Sequence, residues 1–114
     1  MRKLLALAVL VLAGGLLALF AASAPSATRV KIGDNYFVRS SGVPTVTVSK
    51  GTRVKWVWRG DNIHNVKVVK GPVKFGSSTM KTGTYTKKMR RSGTYTIICT
   101  VHGGKDQKMK LVVN

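Results

Sequence analysis

From Val30 to Val113 apolar and polar side chains alternate in short runs separated by turn residues, the period of two that marks strands with one buried and one wetted face. Val30, Ile32 and then Tyr36 to Val38 predict a first strand with an irregular kink at Gly33-Asp34-Asn35. Ser40-Ser41-Gly42 and Pro44 punctuate the chain, after which Val46 and Val48 share one face of a second strand. Lys50-Gly51 turns into a third, where Val54, Trp56 and Trp58 face one way and Arg53, Lys55 and Arg59 the other. Tryptophans at alternate strand positions read as core. Gly60-Asp61-Asn62 reads as a loop, Ile63 to Val68 as a further strand and Lys70 to Thr79 as mostly irregular. A strand around Thr84 to Lys88 follows, and Ser92-Gly93 turns into a closing pair of strands joined by a short loop after His102. The sequence has no helical periodicity of useful length, no internal repeat and no heptads. Short strands at regular spacing with turn signals between them predict an all-β fold, a β-sandwich.

The segment ahead of these strands is of a different kind. Arg2 and Lys3 precede an apolar run from Leu4 to Phe20, and Ala21-Ala22-Ser23-Ala24 follows: the charged head, apolar middle and small-residue tail of an export signal. Cleavage after Ala24 satisfies the small-x-small rule. An uncleaved anchor helix is the alternative, since the run lies at the short end of what spans a bilayer, and Gly14-Gly15 weakens a helix there. The chain is thus expected to divide into a signal over 1–24, a short tether over 25–29 and one small-cored domain over 30–114, outside the cytosol in a periplasm or at a cell surface.

Charge narrows the choice of partners. The formal net charge is +17, from 20 Lys and Arg against only Asp34, Asp61 and Asp106. Such a field promotes association with polyanions: an acidic protein, an anionic membrane surface or a charged envelope. Nucleic acid is not expected, because of export and because the basic residues are scattered over alternate strand positions without a recognition-helix or zinc-finger pattern. The Lys87-Lys88-x-Arg90-Arg91 run, at the start of the strand leading to Cys99, reads as a solvated, envelope-facing cluster. An enzyme is not expected either: three acidic residues leave little for acid–base work, and no nucleophile elbow or phosphate loop offers an alternative.

Cys99 is the only cysteine, so it has no intrachain disulfide partner, and an unpaired thiol in an exported protein has to be buried or used. It shares the inward face of its strand with Tyr95 and Ile97, and His102 follows three residues later. A thiolate and an imidazole held that close make half of a metal site, one that suits copper or zinc better than magnesium or calcium. The plain alternative is a buried cysteine acting as a small hydrophobe, with a loop histidine facing water. The residues by themselves leave both open.

The Val46-x-Val48-x-x-Gly51-x-x-Val54-x-Trp56 pattern, the His64-Asn65-Val66 stretch and Gly93-Thr94-Tyr95-x-x-x-Cys99-x-x-His102 with its closing valine-rich strand resemble the cupredoxins. These are the small blue-copper proteins of the plastocyanin, amicyanin and pseudoazurin kind, and the resemblance runs from about Val30 to Asn114. It implies an eight-stranded Greek-key sandwich around one type 1 copper ion, with His64, Cys99 and His102 as ligands by position. At the fourth, axial position the family usually carries methionine, whereas plastocyanin-like spacing, and alignment back from Lys110-Leu111-Val112-Val113, fall here on Gln107. Glutamine occupies that position in the stellacyanin branch. Met109 is the alternative, delivered by a bulged loop; two residues advance a strand by about 6.6 Å, so only one of the pair can reach the metal. Gln107 is preferred, with Met109 packing in the core.

The resemblance also makes Asn65 the residue that ties the two ligand loops together, by hydrogen bonds near Cys99 and Thr100; an ordinary turn asparagine is the alternative. It implies a monomeric single-copper electron carrier cycling between Cu(I) and Cu(II), with copper sequestration or delivery as the competing function of the same ligands. Gly103 and Gly104 beside His102 would let an acidic redox partner approach the ring, and Lys105 and Lys108 would surround the contact with positive charge.

Overall fold

The alternation along the chain is realised as two four-stranded sheets that bury their apolar faces against each other. The computed structural model describes residues 27–114; the expected leader lies outside these residues. In chain order the elements are β1 (Thr28–Gly33), β2 (Tyr36–Phe37), β3 (Thr45–Val48), β4 (Arg53–Trp58), β5 (Lys67–Lys70), β6 (Thr84–Lys88), β7 (Gly93–Ile98), a one-turn helix α1 (Gly103–Asp106) and β8 (Lys108–Val113). One sheet has the order β2-β1-β4-β6 and the other β3-β8-β7-β5. The chain crosses between the sheets at most connections, and the pairings β1–β4 and β3–β8 are parallel while the other pairings are antiparallel.

The core is made by the alternate positions that the pattern singles out. Val30, Ile32, Val54, Trp56 and Trp58 from one sheet meet Val48, Val68, Tyr95, Ile97, Leu111 and Val113 from the other. Trp56 sits among aromatic neighbours, with ring centroids 5.7 Å from Tyr85 and 6.1 Å from Phe75. Arg53 and Lys55, on the opposite face of β4, reach outward as expected.

Three local features differ from the sequence expectation, and each bears on the site. The predicted kink at Gly33-Asp34-Asn35 is a full reversal: β2 folds back antiparallel on β1 with Gly33 opposite Tyr36, and Asn35 takes the left-handed conformation (φ 68°) that such a tight connection needs. The strand expected over Ile63 to Val68 begins only at Lys67. Ahead of it His64 pairs with Met80 in an isolated bridge, and the Val66 N–H donates to the Ser77 hydroxyl at 2.9 Å instead of to a neighbouring strand. The loop after His102 contains α1, a single turn closed by the Gln107 N–H donating to Gly103 O at 3.1 Å, too short to leave any periodicity in the sequence. In addition β1 begins at Thr28, inside the span read as a tether, where Thr28 and Arg29 pair with Val54 and Lys55.

Candidate metal centre

His64 is held at one end of the sandwich through its own main chain. Its N–H donates to Met80 O at 2.9 Å, Met80 N–H donates back to His64 O at 3.0 Å, and the Trp58 indole N–H donates to the same His64 carbonyl at 3.1 Å. Trp58, read from the sequence as core, therefore also anchors this segment.

Cys99, His102 and Gln107 come from the turn that joins β7 to β8. Cys99 continues the buried face of Tyr95 and Ile97, its N–H donates to Gln107 O at 3.2 Å, and Gly103 N–H donates to Cys99 O at 2.8 Å. The loop is thus closed by its own main chain, with Gly103 adopting a positive φ of 78° that favours glycine. His64, Cys99 and Gln107 are fully buried, whereas His102 keeps part of its ring at the surface.

The ligand atoms of His64, Cys99 and His102 all lie within 4.8 Å of one another. Cys99 Sγ is 3.9 Å from His64 Nδ1 and 3.6 Å from His102 Nδ1. Gln107 joins them: its Oε1 lies 3.1 Å from His64 Nδ1 and 3.2 Å from His102 Nδ1. The orientation of that amide is set from behind, because Nε2 donates to Tyr36 O at 3.1 Å and to Gly33 O at 3.4 Å, which leaves the oxygen facing the imidazoles. Met109, the alternative to Gln107, lies fully buried in the hydrophobic cluster opposite Ile97.

The other side of His64 is equally fixed. Its Nε2 is 3.0 Å from Asp34 Oδ1. A carboxylate only accepts, so Nε2 donates to it, and Nδ1, turned toward the sulfur and the amide oxygen, is the nitrogen placed to bind a metal. Two imidazole nitrogens, a thiol sulfur and an amide oxygen then converge. Such a cluster of donor atoms suits a cation, and the soft sulfur with two imidazoles selects a transition metal of the copper or zinc type. The donor set therefore fits copper.

Asp34 was not legible as part of this arrangement. Its carboxyl is held down to about 2 from an ordinary 3.8, chiefly by the Asp61 N–H, then by the His64 ring and by the Asn62 N–H. The only hint in the sequence is that it is one of three acids in a strongly basic chain, placed between a glycine and an asparagine. Asn65 spans the two ligand segments: its Nδ2 donates to Thr100 Oγ1 at 2.7 Å, and Thr100 N–H donates to Asn65 Oδ1 at 2.8 Å. Gly103, Gly104 and Lys105 lie on α1 and Lys108 at the start of β8, beside the partly exposed His102. Two apolar side chains next to the ligands in sequence, Ile63 and Val101, are also exposed.

Comparison with known proteins agrees with this geometry. The family of copper binding proteins described as the plastocyanin/azurin family matches residues 26–114. Among solved structures, a reduced amicyanin with a tryptophan-to-tyrosine substitution superposes with a TM-score of 0.66 at 28% identity, and an oxidised one with methionine replaced by leucine with 0.65 at 28%. A Cu(I) amicyanin with the same methionine replaced by glutamine gives 0.65 at 30%. Each alignment covers 82% of this chain and 88% of the amicyanin. No curated protein matches the chain. A sandwich of this topology, a His-Cys-His cluster at one end and a family match across all the described strands lead to one conclusion: the chain belongs to the plastocyanin/azurin family of copper-binding proteins, the cupredoxins.

Proposed function

We propose that this protein is an exported single-copper electron carrier, in which His64 Nδ1, Cys99 Sγ and His102 Nδ1 would hold the ion and Gln107 Oε1 would serve as a further, weaker donor. The observation that carries the reading is the convergence of those four donor atoms at one end of the sandwich, each presented by a segment held in place through its own main chain. Copper bound there would supply a one-electron couple in a coordination intermediate between the preferences of its two oxidation states.

The residues of the chain do the rest. His64 and Cys99 are sealed from water, and the ties through Asn65 and through the Gln107 amide resist movement of the ligands, which keeps the structural change between oxidation states small. A sealed, rigid set of donors also favours a carrier over a protein that must hand its ion on. His102 is the one partly exposed member of the set, so it is the route by which an electron would leave or enter. Gly103 and Gly104 leave its surroundings open, and Lys105 and Lys108 add positive charge, which suits an acidic partner that binds, exchanges and departs. The basic run ending in Arg90 and Arg91 lies at the opposite end of β7 from Cys99, where it is free to lie against an anionic envelope. The export signal expected over residues 1–24 supports a periplasmic or cell-surface location. With both histidines committed to one ion, none is left for a second, catalytic copper centre, and the reading is not that of an enzyme.

The test is a visible spectrum. One equivalent of copper(II) added to the purified protein should give an intense blue or green thiolate-to-metal band that reductant bleaches and oxidant restores, and Cys99→Ser should abolish it. Absence of the band in the parent, or its survival in the serine variant, refutes the reading.

A further inference from the structure

Asp34 stands out because the architecture spends so many contacts on orienting a side chain that no ligand role requires. The Asp61 N–H donates to both carboxylate oxygens at 3.0 Å, and the Asn62 N–H donates to Oδ1 at 3.0 Å. Gly60 completes the cradle: a Cβ built on it would overlap Oδ1 and crowd the Asp34 main chain. The carboxylate is therefore positioned by the 60–62 loop, independently of whatever lies on its other side. What lies there is His64 Nε2, on a residue whose main chain is fixed separately by Met80 and Trp58. Two independently anchored partners at 3.0 Å make a contact that is built into the fold.

We infer that Asp34 is a positioning residue of the metal centre, holding the His64 ring with Nδ1 toward the metal and, through its charge, favouring copper(II) over copper(I). The inference rests on the copper reading above. A carboxylate that accepts from the far nitrogen of a ligating imidazole fixes its tautomer and raises the basicity of the nitrogen that binds. The higher oxidation state gains more from a more basic ligand and from a nearby negative charge than the lower one does. The effect acts through the hydrogen bond more than through the general field. Asp34 looks onto an open groove of about 510 Å³ that Lys31 and Arg59 also line, and its side chain is 34% exposed, so solvent and two cations weaken its charge at longer range. An acid placed here acts in the same sense as an amide oxygen in place of a thioether at Gln107. Both residues bias the centre toward its oxidised form.

The test uses the full domain with copper. Asp34→Asn keeps an acceptor for the Asp61 and Asn62 N–H groups and removes the charge; Asp61→Asn removes a neighbouring charge that does not touch His64. Reduction potential by spectroelectrochemistry and copper affinities by competition titration are measured for the parent and both variants. Asp34→Asn should keep the thiolate–copper band, raise the potential and weaken copper(II) binding by about 10- to 100-fold, with a smaller loss for copper(I) and little change in Asp61→Asn. Equal shifts in the two variants, or a lower melting temperature in Asp34→Asn with an unchanged potential, would overturn the assignment and leave Asp34 as a loop cap. A measurement on the parent removes dependence on how well the variants fold. In the diamagnetic Cu(I) form, proton–nitrogen correlation spectra should show His64 protonated at Nε2 with slow exchange; an unprotonated or freely exchanging Nε2 refutes it. A parent that gives no thiolate–copper band sinks the copper reading itself, whereas a blue parent with an insensitive Asp34→Asn sinks only this inference.

Discussion

Replacing Asn65 by alanine tests how the two ligand segments are joined. Asn65 is 9% exposed and makes two side-chain bonds to Thr100, one to the hydroxyl at 2.7 Å and one from the main-chain N–H at 2.8 Å. A net value of about 1 kcal/mol for each puts the loss near 2 kcal/mol. It should not be larger, because Thr100 is exposed and its freed groups can turn to water. In a domain of this size that is a fall in melting temperature of about 8–16 °C, read on copper-free protein so that metal affinity does not enter. Thr100→Val is the informative partner. It removes only the hydroxyl bond, yet it strands the buried Asn65 Nδ2 without an acceptor, so its cost should reach about 1–3 kcal/mol. The double variant should then be scarcely worse than Asn65→Ala alone, since removing the amide also removes the stranded group. Additive losses in urea or thermal unfolding would show that the two residues do not act on each other, and the bridging argument would fail.

Gln107→Met would replace the proposed oxygen donor by a softer sulfur and should favour copper(I) by about tenfold or more, a rise in potential of at least about 59 mV; cyclic voltammetry showing no rise removes Gln107 from the proposed ligand set. Met109→Ala should cost about 2–5 kcal/mol of stability in urea unfolding while leaving the thiolate–copper band in place, and loss of the band at intact stability would make Met109 the ligand instead. The depressed Asp34 carboxyl contributes stability that is full above its ordinary value of 3.8 and is lost as pH falls toward about 2; urea midpoints of the copper-free protein across that window should fall for the parent and fall less for Asp34→Asn. Electron transfer to an acidic partner should slow by about tenfold or more as salt screens Lys105 and Lys108, and stopped-flow rates indifferent to ionic strength would remove the charge argument.

Much of this architecture could be read from the chain, for a definable reason. Burial on one face of a strand leaves a period of two, so Val54-Trp56-Trp58 and Tyr95-Ile97-Cys99 announce both their conformation and their inward direction. The features that escaped are those in which the main chain departs from that period. The reversal at Asp34-Asn35 joins two strands whose alternation continues across it, so the pattern alone reads as one kinked strand. His64 looks like a strand residue because Ile63 to Val68 alternates, but its main chain pairs only with Met80 and the Val66 N–H is taken by the Ser77 hydroxyl, so the ladder with β7 starts only at Lys67. The helix α1 has one turn and no apolar face. As for the centre itself, spacing could suggest the Cys99–His102 pair because the two are close along the chain. It could not join Asp34 or His64 to them, because those contacts are made across the sandwich by residues separated by 30 positions and more.

The same departures explain why the donors can face one another at all. Strands that follow the regular ladder satisfy their polar groups locally, and they give no reason for two imidazole nitrogens, a sulfur and an amide oxygen to crowd together. Here each donor is forced into the cluster by a bond made elsewhere: His64 by Met80, Trp58 and Asp34, Cys99 and His102 by the α1 turn, and Gln107 by the carbonyls of Gly33 and Tyr36. The core residues Trp56, Tyr95, Ile97 and Leu111 pack the two sheets against each other, and none of them is a donor. Affinity for a cation, and preference between its charge states, are then properties of where the backbone places the donor groups, which is why Asp34 and Gln107, two residues outside the His-Cys-His set, are the ones whose exchange should move the potential while the sandwich stays intact.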